Sequence, residues 1–262
     1  MDQGAHVMKG VLLSNISKRF QVDGRTIGAL KRVNLSVPKG SIVSIVGYSG
    51  CGKTTLLNVI MGLQHSDEGR LSFDEMDGRT AMVFQEPRLV AALSVEKNMA
   101  LALKHEKEPA RKAMILDHTL EMLGLTAFRR ALPCQLSGGM AQRVALGRAL
   151  CREPELLLMD EPFGALDALN RKRLQEELVR IYLDREITIL FVTHDVAEAV
   201  LLGRKVCIMD KGEVRQEIPV PLAYPRNPGS AEFVSLREKV LEAILREEGS
   251  VLPHQTTESR SV

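Results

Sequence analysis

Residues 47–55 read GYSGCGKTT, directly after the apolar run IVSIV at 42–46 and directly before Leu56, Leu57, Ile60 and Met61, which recur at helical spacing. A strand that turns through a glycine-rich loop into a helix is the setting a phosphate-binding loop requires. Gly47, Gly50 and Gly52 permit the tight turning that points successive amides inward, so the segment Gly47, Ser49, Gly50, Cys51, Gly52 and Lys53 forms a nest for anionic oxygens. The following helix N-terminus adds its dipole. Lys53 is expected to reach the β- and γ-phosphates and the Thr54 hydroxyl to bind magnesium, with Thr55 closing the motif. The competing reading, a glycine-rich structural turn, explains neither the lysine nor the hydroxyl beside it. Two readings of Cys51 stand: a thiol made reactive by the helix terminus and Lys53, or a small tolerated side chain.

The surroundings extend this nucleotide site. The apolar run LLLM at 156–159 ends in Asp160 and Glu161. An acidic residue at a strand's carboxyl end is placed to orient hydrated magnesium, which assigns that task to Asp160. Glu161 is then the candidate to polarise or deprotonate attacking water. His194 follows the run at 187–192 and Thr193, a register suited to sensing a γ-phosphate. Gln85 follows Phe84 in the same way and offers a neutral amide to magnesium or water, although an ordinary turn glutamine is the alternative.

A second anion site is expected downstream. Ser137 can cap a helix beginning near Met140, and Gly138 and Gly139 leave amides uncovered. One phosphate loop and two anion-binding helix starts in one chain suggest an antiparallel homodimer in which each loop faces the partner's Ser137 segment. Loss of the γ-phosphate would then loosen the pair. The plainer reading is a capped helix with a flexible entry.

Along the rest of the chain, 11–20 and 27–37 have strand character, with a strand–turn–strand at 71–84 around Asp77-Gly78. Residues 95–128 form a mostly helical block, and helices are expected at 139–150, 168–183, 195–202 and 231–247. Strands are expected at 187–192 and 206–209, residues 212–228 are turn-rich, and the end is a polar tail, expected to fray. Strands alternating with helices predict an α/β fold with a mostly parallel sheet covered on both faces.

Composition sets the outer limits. A chain of 262 residues holds one substantial core, and the net charge of +2, without aromatics among its basic residues, offers no nucleic-acid platform. The four cysteines lack metal-ligand spacing. No apolar run of membrane length is present, so a cytosolic protein is expected whose membrane contact comes through a partner.

These motifs together resemble the ATP-binding subunits of ABC transporters: GYSGCGKTT at 47–55, VFQEP at 83–87, LSGGMAQR at 136–143, LLLMDEPFGALD at 156–167 and FVTHD at 191–195. The resemblance implies a phosphate-loop NTPase of ABC type over 11–218. Its parts would be a mixed β core, an N-terminal antiparallel β subdomain and a helical signature subdomain at about 86–150, with 219–262 as a C-terminal extension. It implies ATP and Mg2+ as ligands, Glu161 as catalytic base, His194 as switch histidine, and Gln85 as the loop sensing magnesium and the membrane subunit. It also implies that Ser137, Gly138 and Gly139 contact the opposite nucleotide, that Asp167 lies in a loop crossing the dimer interface, and that Phe20 stacks on adenine.

Within the family, QEPRL, LSGGMAQRVALGRAL and DEPFGALDALNR look most like importers of nitrate, sulfonates and taurine. Such systems pair two ATPase subunits with two permease subunits and an extracytoplasmic binding protein, placing this chain peripherally at the cytoplasmic membrane face. A shortened stretch between Gly69 and Val83, and Ala91-Ala92 where the group has proline-tryptophan, depart from that pattern. An ATP-driven clamp on a non-transport partner and a small-molecule kinase are the other readings. The second uses neither the Ser137 segment nor His194.

Overall fold

The structure, a computed structural model, describes residues 10–164 and 166–249. The polar tail expected beyond 249 lies outside them. Two sheets organise the chain. β1 (Gly10–Val22), β2 (Arg25–Pro38) and β4 (Glu68–Asp74) form an antiparallel sheet in the order β2-β1-β4. β3 (Ile42–Val46), β5 (Thr80–Val83), β6 (Leu156–Asp160), β7 (Thr188–Thr193), β8 (Lys205–Asp210) and β9 (Glu213–Pro219) form the second, in the order β5-β6-β7-β3-β8-β9. All its pairings are parallel except the β8–β9 edge.

β3, β6 and β7 are buried at every residue, as expected for unbroken apolar strands covered on both faces. One face meets α1 (Lys53–Ile60), which is held between the two sheets: Leu56 and Leu57 pack with Ile45 and Leu158 on one side and with Val11, Ile16 and Leu30 on the other. The opposite face carries α2 (Val95–Ala100), α3 (Pro109–Met122), α4 (Gly138–Leu150) and α5 (Ala168–Arg185), joined through Met99, Leu120, Leu150 and Leu178. α6 (Val196–Leu202) and α7 (Ala231–Gly249) close the β8–β9 end through Val200, Ile208, Phe233 and Val240.

The strand–turn–strand expected at 71–84 is present, and the chain changes sheets between its strands: β4 belongs to the antiparallel sheet and β5 to the parallel one. One sequence expectation needs correction. Within the region read as turns, EVRQEIP at 213–219 is the edge strand β9. An edge strand needs only one apolar side, and Ile218 alone in it is fully buried.

Parallel strands bring their carboxyl ends to one edge of the sheet. There the chain leaves β3 into 47–52, β5 into Gln85, β6 into Glu161 and β7 into His194. A crevice outside such strand ends is where open α/β sheets place ligands.

Candidate nucleotide site

The phosphate loop is pinned from both sides. A Cβ added at Gly47 would sit 2.1 Å from the Met209 carbonyl oxygen, and one at Gly52 would sit 2.4 Å from that of Ala29. Gly52 also has φ of 109°, so both glycines are required by close backbone approach and one by conformation as well. The Gly212 amide donates to the Cys51 carbonyl at 2.9 Å, fastening the loop to the turn after β8. Gly52 is the N-cap of α1 and supplies no side-chain cap, which leaves the first-turn amides for an anion.

Lys53 is almost wholly buried, and its ammonium donates to the carbonyls of Gly47 at 2.7 Å and Tyr48 at 2.9 Å. The charge is thus held at the mouth of the loop before any phosphate arrives. Cys51 is buried beside it, its Sγ 3.9 Å from Lys53 Nζ. Burial raises the thiol pKa more than the Lys53 charge lowers it. Of the two readings of Cys51, the small tolerated side chain is the one that fits: the lysine is near, and desolvation of the thiolate outweighs it.

Asp160 ends β6 with its carboxyl buried, and desolvation raises its pKa, opposed by the Thr54 hydroxyl and the Lys53 charge. Thr54, Asp160 and Gln85 line one cleft of about 450 Å³. A hydroxyl, a carboxylate and an amide form the hard oxygen donor set that suits Mg2+. The residues present therefore fit magnesium-bound triphosphate.

Glu161 has φ of 44°, a left-handed conformation that costs a non-glycine residue roughly 1–3 kcal/mol. Its amide donates to the Val192 carbonyl at 3.0 Å, and Phe163, fully buried, packs its ring 5.6 Å from that of Phe191. Phe163 burial is worth about 2–3 kcal/mol, enough to hold the bend. The bend aims Glu161 at the next strand end, where its Oε2 lies 3.0 Å from His194 Nδ1. His194 itself is largely exposed, with its ring open to a ligand or a second molecule.

Known proteins resemble this chain in sequence and fold. The family described as ABC transporter matches residues 30–164. The chain is 42% identical over 241 residues to the aliphatic sulfonates import ATP-binding protein SsuB of Bacillus subtilis, covering 88% of this chain and 92% of that one. It is 40% identical over 244 residues to an uncharacterized ABC transporter ATP-binding protein, MJ0412, of Methanocaldococcus jannaschii, covering 90% and 91%. Among solved structures, the ATP-binding cassette MJ0796 in a dimeric post-hydrolysis state bound to ADP and Pi superposes with a TM-score of 0.72. That pair is 31% identical, with 81% of this chain and all of that one covered. This chain belongs to the ABC transporter ATP-binding family.

In this ABC ATPase the Ser137 segment sits on a separate element. Ser137 is the N-cap of α4 and accepts from the Met140 amide at 3.3 Å, while Gly138 and Gly139 begin the helix. Gly139 sits tight against Asn170, since a Cβ there would lie 3.0 Å from its side chain. Asn170 donates in turn to Asp167 at 2.6 Å. Asp167 is the N-cap of α5, accepting from the amides of Leu169 and Asn170, and these bonds hold its carboxyl below the usual pKa. The starts of α4 and α5 are therefore one packed corner. Phe20 lies on the antiparallel sheet, half-buried, with Lys18 Nζ 5.7 Å from its ring centre.

The structure brings Lys53, Thr54, Asp160, Glu161, Gln85 and His194 to one sheet edge. It leaves Phe20 on the other sheet and Ser137 at the far helix start.

Sequence reading missed the residues that hold Gln85 in place. Gln142 donates to the Phe84 carbonyl at 3.2 Å, and Arg148 donates to those of Pro87 and Arg88, both at 2.9 Å. Both side chains come from α4, about sixty residues away. The one available signal was Gln142 itself, a long polar side chain among apolar helix neighbours.

Proposed function

We propose that two copies of this chain close antiparallel around two ATP molecules and that hydrolysis drives import of a small anion through separate permease subunits. An alkanesulfonate, taurine or nitrate is the expected cargo. An extracytoplasmic binding protein would deliver it, and the chain would sit peripherally at the cytoplasmic membrane face. The observation that carries the reading is the Glu161–His194 contact beside a lysine-charged phosphate loop. Among the described residues no helix is long and apolar enough to cross a membrane, which supports a separate permease. The sulfonate preference is supported by the relatives named aliphatic sulfonates import ATP-binding proteins in several Bacillus species.

In this reading the phosphate-loop amides and Lys53 hold the β- and γ-phosphates, while Thr54, Asp160 and Gln85 hold magnesium, which neutralises charge on the phosphoryl group. Phe20 stacks on adenine. Lys53 Nζ rests on two loop carbonyls with the weak acceptor Cys51 Sγ 3.9 Å away, and would turn its third hydrogen to the developing charge. Glu161 accepts the proton of the attacking water. His194, held by Glu161, keeps the water and γ-phosphate in line. Ser137, Gly138 and Gly139 of the partner subunit complete the phosphate shell, with Asp167 at the seam.

The deciding experiment uses Glu161→Gln. It should bind ATP with unchanged affinity, lose at least about 100-fold in turnover, and accumulate as an ATP-bound dimer on size-exclusion chromatography. Wild-type turnover in this variant would overturn the role of Glu161, and a monomer at saturating magnesium-ATP, even with permeases present, would overturn the pair. For cargo, purified binding protein should take up an alkanesulfonate in calorimetry. Failure with sulfonates, taurine and nitrate alike would remove the small-anion cargo.

A further inference from the structure

The structure holds a closed circuit of contacts behind Glu161 and His194 that the proposed chemistry does not use. Glu198, in the first turn of α6, is buried, and its Oε2 accepts from the Thr193 hydroxyl at 2.7 Å. The same hydroxyl accepts from the Asp195 amide at 3.0 Å, so the residues on either side of His194 are tied through one oxygen. Glu198 Oε1 accepts from Gln175 Nε2 at 3.2 Å and lies 3.7 Å from Arg171 Nε. Arg171 reaches the other way, its Nη2 donating to the Leu166 carbonyl at 3.1 Å. Leu166 ends the loop that begins at Glu161. The circuit encloses a small polar cleft of about 40 Å³ that includes Glu161, Gly164 and His194 in its wall.

We propose that Arg171 and Glu198 are positioning residues that set His194 against Glu161, joining the loop after β6 to the loop after β7. The inference rests on the hydrolytic reading of Glu161 and His194. A buried carboxylate is unfavourable unless paired, and a short helix needs none at this position to fold. Burial accordingly raises the pKa of Glu198, with Thr193 and Arg171 acting against it. What the carboxylate supplies is two acceptor oxygens in fixed directions, one toward Thr193 and one toward α5. Without them the Thr193 hydroxyl keeps only the Asp195 amide as partner, and the lock on the His194 peptide loosens. A displacement on the order of 1 Å at a reacting group costs roughly 100-fold in rate.

The test measures steady-state ATPase, ATP affinity and the His194 imidazole 15N signal in the full chain. It compares wild type, Glu198→Ala, Glu198→Gln, Arg171→Met and the reference Glu161→Gln. Glu198→Ala and Arg171→Met should lower kcat by about 10- to 100-fold with KM and ATP affinity within about 2-fold of wild type. Glu198→Gln, whose amide oxygen still accepts from Thr193 but whose amide nitrogen replaces the oxygen facing Arg171, should restore the His194 signal that Glu198→Ala shifts while its kcat falls as far as in Arg171→Met. Wild-type kcat in both Glu198→Ala and Arg171→Met overturns the proposal. So does a kcat loss that follows KM and melting temperature while Glu198→Ala leaves the His194 signal unmoved, which would mark a merely structural pair. If Glu161→Gln turns over at the wild-type rate, the hydrolytic reading falls and this inference with it. An inert Glu161→Gln beside fully active Arg171 and Glu198 variants removes the positioning role alone.

Discussion

Cys51 and Gly47 show how single atoms govern the loop. Cys51 is buried with its thiol pKa pushed up, whereas Cys134 is exposed. At pH 7, iodoacetamide should therefore label Cys134 at least about 10-fold faster than Cys51, read by peptide mass spectrometry. Equal rates would mean the loop opens readily. Gly47→Ala places a methyl 2.1 Å from the Met209 carbonyl, so the loop must move away from β8. ATP affinity should fall by about 100-fold or more, measured by calorimetry, because the nest amides lose their common focus. Most of this scale was legible in the sequence, since a phosphate loop is a local pattern and its residues are neighbours in the chain. The cysteine's environment was not, because its burial comes from β8 and α1 folding around it.

At the scale of elements, caps and clamps decide. Asn98 of α2 is fully buried, donates to the carbonyls of Val90, Leu93 and Ser94, and accepts from the Val90 amide. It fastens the stretch containing Ala91 and Ala92 to the helical block. Asn98→Leu leaves the Leu93 carbonyl and the Val90 amide without partners, while the Val90 and Ser94 carbonyls keep the backbone amides of Leu93 and residue 98, and should destabilise the protein by about 2–3 kcal/mol in denaturant unfolding. Asp167 caps α5 with a depressed pKa. Its contribution is present above the ordinary carboxylate pKa, near about 4, and is lost as pH falls through the lower folded value. Asp167→Ala should thus lower the melting temperature at pH 7 and merge with wild type at strongly acid pH, by calorimetric scans. Helices and interior strands were readable because their apolar period is local. β9 was not, since an edge strand with polar alternation looks like a turn region. The separation of β4 from β5 was hidden because periodicity does not name a strand's partner. Arg171 and Glu198 were hidden for the same reason.

Across the whole molecule, residues 220–244 pack onto α6 and β8 through Val220, Phe233, Val240 and Ile244. Arg226 is buried and donates to the carbonyls of Val200, Leu201, Gly203 and Leu222, with its guanidinium 4.3 Å over the Tyr224 ring. Tyr224 itself bonds the Leu202 carbonyl. Arg226→Met should cost about 3 kcal/mol, lowering the melting temperature by roughly 6–12 °C, with ATP affinity unchanged. Loss of ATP binding in a variant that melts normally would contradict this division of labour. The grip of α4 on the Gln85 strap has a mechanical consequence. With Arg148 and Gln142 clamped to the chain just past β5 and Ser137 at the helix tip, α4 is a stiff lever whose handle is the Gln85 end. In the proposed pair, any tug a permease gave there would reach the Ser137 tip through α4, at the seam where the partner subunit's ATP would be held.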